Sequence, residues 1–406
     1  MKLLSIIFPL FLTAITLAAE VEVTNGTKPT GKALTLAFTE ELRLGPDSGD
    51  EHHLWSGATV AVEVDKRGHM FVVDTGGNRI MEFDAGGKFV RQIGSEGEGP
   101  GEFRMLMSFV ILEDGTGIAY DNRQAQAVFS MYDAAMNFKD SKQVNTNRKA
   151  IRSVSFSPSG KHFSSFYMSF IDQKLMTYTG VLNAENLDTE ITLHNKPVMP
   201  FDGNRVQEGA WWSEFYASWF NLFATGAGTV AFAKDGSIYT ASTAKYEITK
   251  WSQDLDKQMV IKREYKPILQ TEADLAAYAD PIRAEILSSL PASLHQYITP
   301  GVVSKAIELA EFPSSKQPIF GMVPLEDGGL LVVHDFDAKK NASTADLFDK
   351  DGKYIGQAQL PKVAVNIFGS FFGNPVKLVF KGGKAYAIEM NEDLEPSLVR
   401  YAYVVK

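Results

Sequence analysis

Short apolar runs separated by glycine turns dominate the chain, and their spacing predicts strands rather than helices. The run Ala58–Asp65 turns at Arg67-Gly68 into Met70–Val73, and Met107–Leu112 turns at Glu113-Asp114-Gly115 into Gly117–Tyr120. The same figure recurs as Ser153–Phe156 with His162–Phe166, Gly228–Ala233 with Ser237–Thr240, Gly321–Leu325 with Leu330–Val333, and Val376–Phe380 with Lys384–Ile388. Asp-Gly and Gly-Gly pairs between β-favouring residues are hairpin signals. Six such units, each with room for two more strands, predict an all-β, six-bladed β-propeller of four-stranded antiparallel blades. The sixth unit runs out of chain, because Ser397–Val405 is its third strand. The unassigned segment Leu34–Gly45 supplies its outer strand and closes the ring, which removes an open sheet edge.

Two intervals break the rhythm, residues 194–228 and 267–318. In the second, Thr271-Glu272-Ala273-Asp274 reads as a capping box, and Asp280-Pro281 and Thr299-Pro300 read as helix starts. This predicts a helical insertion between blades 4 and 5. In the first, aromatics at 212, 215, 216, 219, 220 and 223 share one helical face, while Trp211 falls off it and is expected to be exposed. The stripe suits packing onto the propeller; the alternative is a lid or a sticky face for a partner.

Composition adjusts this picture in three ways. Lys2 and the apolar run Leu3–Leu17, closed by Ala18-Ala19, read as a secretory signal over residues 1–19, leaving 20–406 as one propeller domain without a transmembrane segment and a periplasmic or secreted location. The chain has no cysteine, which excludes disulfides, thiolate metal sites and thiol nucleophiles. A formal charge of −9 argues against nucleic acid as a partner.

In a blade, the turn between the second and third strands and the link to the next blade emerge on one face. The candidate binding residues therefore gather there: Asp74, Asn78 and Arg79 in one turn, Asp121, Asn122 and Arg123 in the next, Arg104 and Arg152 near inner strands, Trp211 and Trp212, and His334-Asp335. Asp and Asn in such turns bond backbone amides; a rim of Asp and Arg also suits an anionic or sugar-like ligand. His52, His53, His334 and Asp335 are the weak metal candidates. No P-loop, HExxH, GxSxG or EF-hand pattern occurs.

The turn Val73-Asp74-Thr75-Gly76-Gly77-Asn78-Arg79-Ile80, followed by Phe83-Asp84 and Gly86-Gly87-Lys88-Phe89, resembles an NHL repeat with one extra glycine. The whole chain resembles exported bacterial NHL-like propellers. The resemblance implies a binding module working through its loop face on a protein, peptide or sugar-like ligand, with no cofactor. The alternative it leaves open is a hydrolase or lyase of the lactonase-like propeller type, holding calcium or zinc through residues such as Asp121, Asn122, Glu389 and Asn391.

Overall fold

The computed structural model describes residues 21–406 except 57–59, 124–125, 147–148, 152–153, 173, 226–227, 243, 273, 276–278, 280–282, 284–285, 288–291, 338–341, 363–375 and 392–394. Six sheets form a ring. Blade 1 is Ala61–Val64, Met70–Asp74, Arg79–Phe83 and Phe89–Ile93. Blade 2 is Leu106–Ile111, Gly117–Arg123, Gln126–Tyr132 and Phe138–Asn145. Blade 3 has an inner strand in two pieces, Lys149–Ile151 and Ser155–Phe156, then His162–Ile171, Lys174–Asn183 and Thr189–Val198. Blade 4 is Thr229–Phe232, Ile238–Ala241, Glu247–Trp251 and Lys257–Arg263, and blade 5 is Gly321–Pro324, Leu330–Asp337, Ala342–Phe348 and Tyr354–Leu360. Blade 6 is Leu378–Lys381, Lys384–Met390 and Pro396–Val405, completed by Leu36–Leu44 from the N-terminal side. Leu36 pairs with Val405 and Leu44 with Leu398, so the ring closes as expected.

Second strands are covered on both faces by their neighbours. Met70–Asp74 is accordingly buried at every position, and its sequence MFVVD is apolar from Met70 to Val73 instead of alternating. Buried apolar clusters fill the seams between blades. Counted among the described residues, they hold ten at the 1/2 seam, twelve at 2/3, thirteen at 4/5, sixteen at 5/6 and twelve at 6/1. The 3/4 seam holds four: Val181, Ile191, Val230 and Ile238.

The N-terminal stretch does more than close blade 6. Val21–Asn25 lies parallel to Lys257–Arg263 as a fifth strand on blade 4, and Thr30 and Leu34 then donate their N–H groups to the Tyr354 and Ile355 carbonyls of blade 5. One segment thus laces three blades along the rim. Asn25 fixes it: Nδ2 donates to the carbonyls of Lys262 and Gly352, and Oδ1 accepts from Tyr354 N–H. Asn25→Ala should cost about 1–3 kcal/mol, since three backbone groups, two of them in buried bonds, lose the Asn25 side chain. Limited proteolysis should then cut within residues 26–33 before the blades yield; a variant as resistant as the parent would contradict this anchoring role.

Both long links carry helix. Gly209–Thr225 joins blade 3 to blade 4, and Pro300–Leu309, capped by the Thr299 hydroxyl on Val302 N–H, lies between blades 4 and 5. The Thr271–Asp274 capping box forms reciprocally, with Asp274 N–H on the Thr271 hydroxyl and Thr271 N–H on the Asp274 carboxylate. The helix start read at Asp280-Pro281 lies outside the described residues. Residues 194–198 are not insertion but the end of the blade 3 outer strand.

Candidate functional site

Strand order alone puts the second-to-third-strand turns and the blade-to-blade links on one face, called here the top. Most of the predicted residues on it are engaged in holding the ring together. Asp74 is fully buried and accepts from the N–H groups of Ser56 and Gly77 and from Arg79 Nε at 2.9 Å. Arg79 passes on to the Leu54 carbonyl. Asn78, at φ 50°, accepts from Leu106 N–H at the start of the next blade. The extra glycine of the turn has a steric reason: a Cβ on Gly77 would lie 2.5 Å from Asp74 Oδ2.

Blade 2 repeats the device. Asp121, also fully buried, accepts from the N–H groups of Arg104 and Met105 and from Arg123 Nε at 2.6 Å. Arg123 reaches the carbonyls of Glu98 and Glu102, and Asn122 Nδ2 reaches forward to the Ile151 carbonyl of blade 3. In both turns, Asp clamps the incoming link, Arg braces it and Asn ties the next blade. The Arg104 side chain is exposed and pairs with Glu98 at 2.6 Å. Arg152 lies outside the described residues.

The histidine candidates do not converge. His52 bonds Asp50 and stacks on Phe89 at 3.9 Å, and His53 is buried against the Ser48 hydroxyl at 2.6 Å. His334 meets Asp346 at 3.3 Å, while Asp335 turns to Lys316. Glu389 is bonded by Arg43 and by the Tyr401 hydroxyl, and Asn391 is tied to Glu395. Among the described residues, no three His, Asp or Glu side chains come together as a metal-ion site.

The aromatic stripe is an internal surface. Trp212 and Phe220 are buried with Ile298, Val303 and Ala306 of the second insertion, and Trp219 and Leu222 cluster with Phe166 and Val198 of blade 3. Trp211, expected to be exposed, is 1 % exposed. Helical spacing sees one partner surface, but Phe201 lies across the second side, with ring centroids 5.7 Å from Trp211 and 6.0 Å from Trp212. Neither tryptophan can reach a ligand as the chain stands. The side chain of Phe223 is outside the described set.

Sequence reading missed what the top face does expose. Among the described residues, eleven large apolar side chains stand exposed, and seven belong to top-face segments: Leu54, Met105, Phe170, Ile171, Phe201, Leu269 and Leu309. Phe170 and Ile171 crown blade 3, whose second strand runs on past the Phe166 predicted as its end and keeps its pairing with the third strand to Ile171. The available signal was large apolar residues at positions where topology requires a turn or a link. Within the ring, half-buried Glu63 accepts from Ile111 N–H, and burial pushes its carboxyl up to about 7. Burial likewise brings the Lys377 amine down to about 8.

Residues 60–197 match the family DUF5128, described as a 6-bladed beta-propeller. No curated protein matches the chain. Among solved structures, a Bacteroides fragilis protein described as exported is 12 % identical, with a TM-score of 0.45, and the match covers 96 % of this chain and 100 % of that one. A Bacteroides vulgatus protein of the family DUF4221 is 10 % identical, with a TM-score of 0.47 and coverage of 91 % and 98 %. Virginiamycin B lyase from Staphylococcus aureus is 9 % identical at a TM-score of 0.36, covering 91 % and 99 %. Nothing about activity passes to this chain from matches at that level. Among the described residues, no helix is long and apolar enough to cross a membrane.

Proposed function

We propose that this six-bladed propeller is an exported binding module whose top face docks a protein or peptide. The observation that carries the reading is the one-sided distribution of exposed apolar side chains, seven of eleven on top-face segments. Scattered singly, such residues need no explanation; gathered on one face, they suit a partner that removes them from water. The charged residues of the same face are already committed to clamping links and neighbouring blades, so they offer little to a small anionic ligand. The Lys2 and Leu3–Leu17 signal pattern supports the exported part of this reading.

A photocrosslinking amino acid at Phe201 should give a discrete adduct in the exported compartment, and the same group at Val404, on the opposite face, should not. Phe201→Ser with Leu269→Ser should weaken recovery of that adduct's partner by about tenfold, the loss of a centrally placed apolar anchor. Equal adducts from both faces, or none from Phe201, would end this reading.

A further inference from the structure

The 3/4 seam combines the smallest apolar filling of the ring with an unusual polar lining. Strand register puts Thr179 and His194 on the same face of blade 3 as Val181 and Ile191. Both are buried, and the Thr179 hydroxyl has no partner among the described residues. Across from them, Thr240 and Thr249 sit opposite one another on blade 4. Surfaces of this kind do not close into a dry interface.

The seam instead opens into a crevice of about 480 Å³, walled by Glu190 and Thr192 from blade 3 and by Ser242, Glu247, Thr249 and Trp251 from blade 4. A second hollow of about 590 Å³ continues from it toward blade 2 and shares Glu190 and Leu255. Two walls are held in place. Trp251 Nε1 donates to the Thr240 hydroxyl at 2.9 Å, which fixes the plane of the indole. His162 Nε2 meets the Glu190 carboxylate at 2.9 Å from the side of the second hollow.

We propose that this crevice is a binding site for a neutral, hydroxyl-rich ligand, a saccharide of one or two sugar units. The volume lies within the range of small-molecule sites. Among the described residues, two carboxylates and no lysine or arginine line it, so an anion is repelled. Carboxylates accept from sugar hydroxyls, threonine and serine hydroxyls both donate and accept, and an indole face offers an apolar platform to the C–H face of a sugar ring. The site lies between blades, apart from the top-face apolar residues, and does not depend on the docking proposed for them.

The test is titration calorimetry of the purified full chain against neutral mono- and disaccharides of glucose, galactose, mannose and xylose. Galacturonate and spermidine serve as anionic and cationic probes. At least one neutral sugar should bind saturably with a Kd at or below about 1 mM. Glu247→Gln and Thr249→Val should each weaken it by about three- to tenfold, and Trp251→Ala by more than tenfold. Because Trp251 also packs the seam, the two conservative variants keep the test decisive if Trp251→Ala unfolds. No saturable sugar binding at about 10 mM overturns the site. So does sugar binding untouched by Glu247→Gln and Thr249→Val. Binding of spermidine or galacturonate in preference to every neutral sugar overturns the ligand class.

Discussion

Asp346→Ala should lower the unfolding free energy by about 3–5 kcal/mol, the usual cost of stripping one partner from a buried ion pair. Asp346 is fully buried in blade 5, where Oδ2 accepts from Arg263 and from the Tyr246 hydroxyl of blade 4, both at 2.5 Å. Its other oxygen faces Gln357 at 2.9 Å and His334 at 3.3 Å. Burial pushes this carboxyl up, but the bonds from His334, Tyr246 and Gln357 outweigh it and hold the group below the usual carboxylate range. Removing the carboxylate leaves the Arg263 guanidinium, stacked 4.1 Å over Tyr354, without the carboxylate it pairs with among the described residues. Urea titration measures the loss. Asp346→Ala with Arg263→Met should recover more than half of it, because an apolar pair of similar volume has no stranded charge. A loss under about 1 kcal/mol for the single variant would mean that water reaches the seam and replaces the carboxylate.

Much of this arrangement is legible along the chain, for local reasons. Hairpin turns are short-range chemistry, so a glycine turn between β-favouring runs, from Arg67-Gly68 to Gly382-Gly383, locates each of the six blades, and the lone strand at Leu36–Leu44 has only blade 6 to complete. The Asp74 and Asp121 turns are similarly readable, since Asp and Asn bond amides a few residues away. What escapes is what depends on distant chain. Val21–Asn25 alternates like any strand, but nothing in VEVTN names blade 4 as its partner. Trp211 lies off a stripe drawn for one helix, and its burial comes from Phe201 and a second helix some ninety residues on. The second strand of blade 3 runs to Ile171 because Phe166 and Met168 have Trp219 and Leu222 to pack against above the ring. The under-filled 3/4 seam is the least readable feature, for it appears only when the faces of two blades are set against each other.

That seam also gives the protein a measurable dependence on pH. Burial, helped by Lys196, brings His194 down to about 4 from an ordinary value of 6.5. It is held neutral against the Thr177 hydroxyl at 3.2 Å. The unfolded chain takes up a proton near pH 6.5 and the folded chain does not until near pH 4, so within that window the unfolded state binds more protons. Stability therefore rises with pH between 4 and 6.5, and acidification across it should remove up to about 3 kcal/mol. Glu63 works in the opposite sense. Its folded value is raised from 4.5 to about 7, so its contribution is intact below pH 4.5 and is lost as pH climbs to about 7. The two slopes oppose each other between pH 4.5 and 6.5, which makes the parent a poor reporter and paired variants a good one. Denaturant titrations at pH 4.5 and 6.5 should show His194→Gln less acid-sensitive than the parent and Glu63→Gln more so. If His194→Gln tracks the parent across the window, His194 titrates freely, and the seam holding it is wetter than its burial implies.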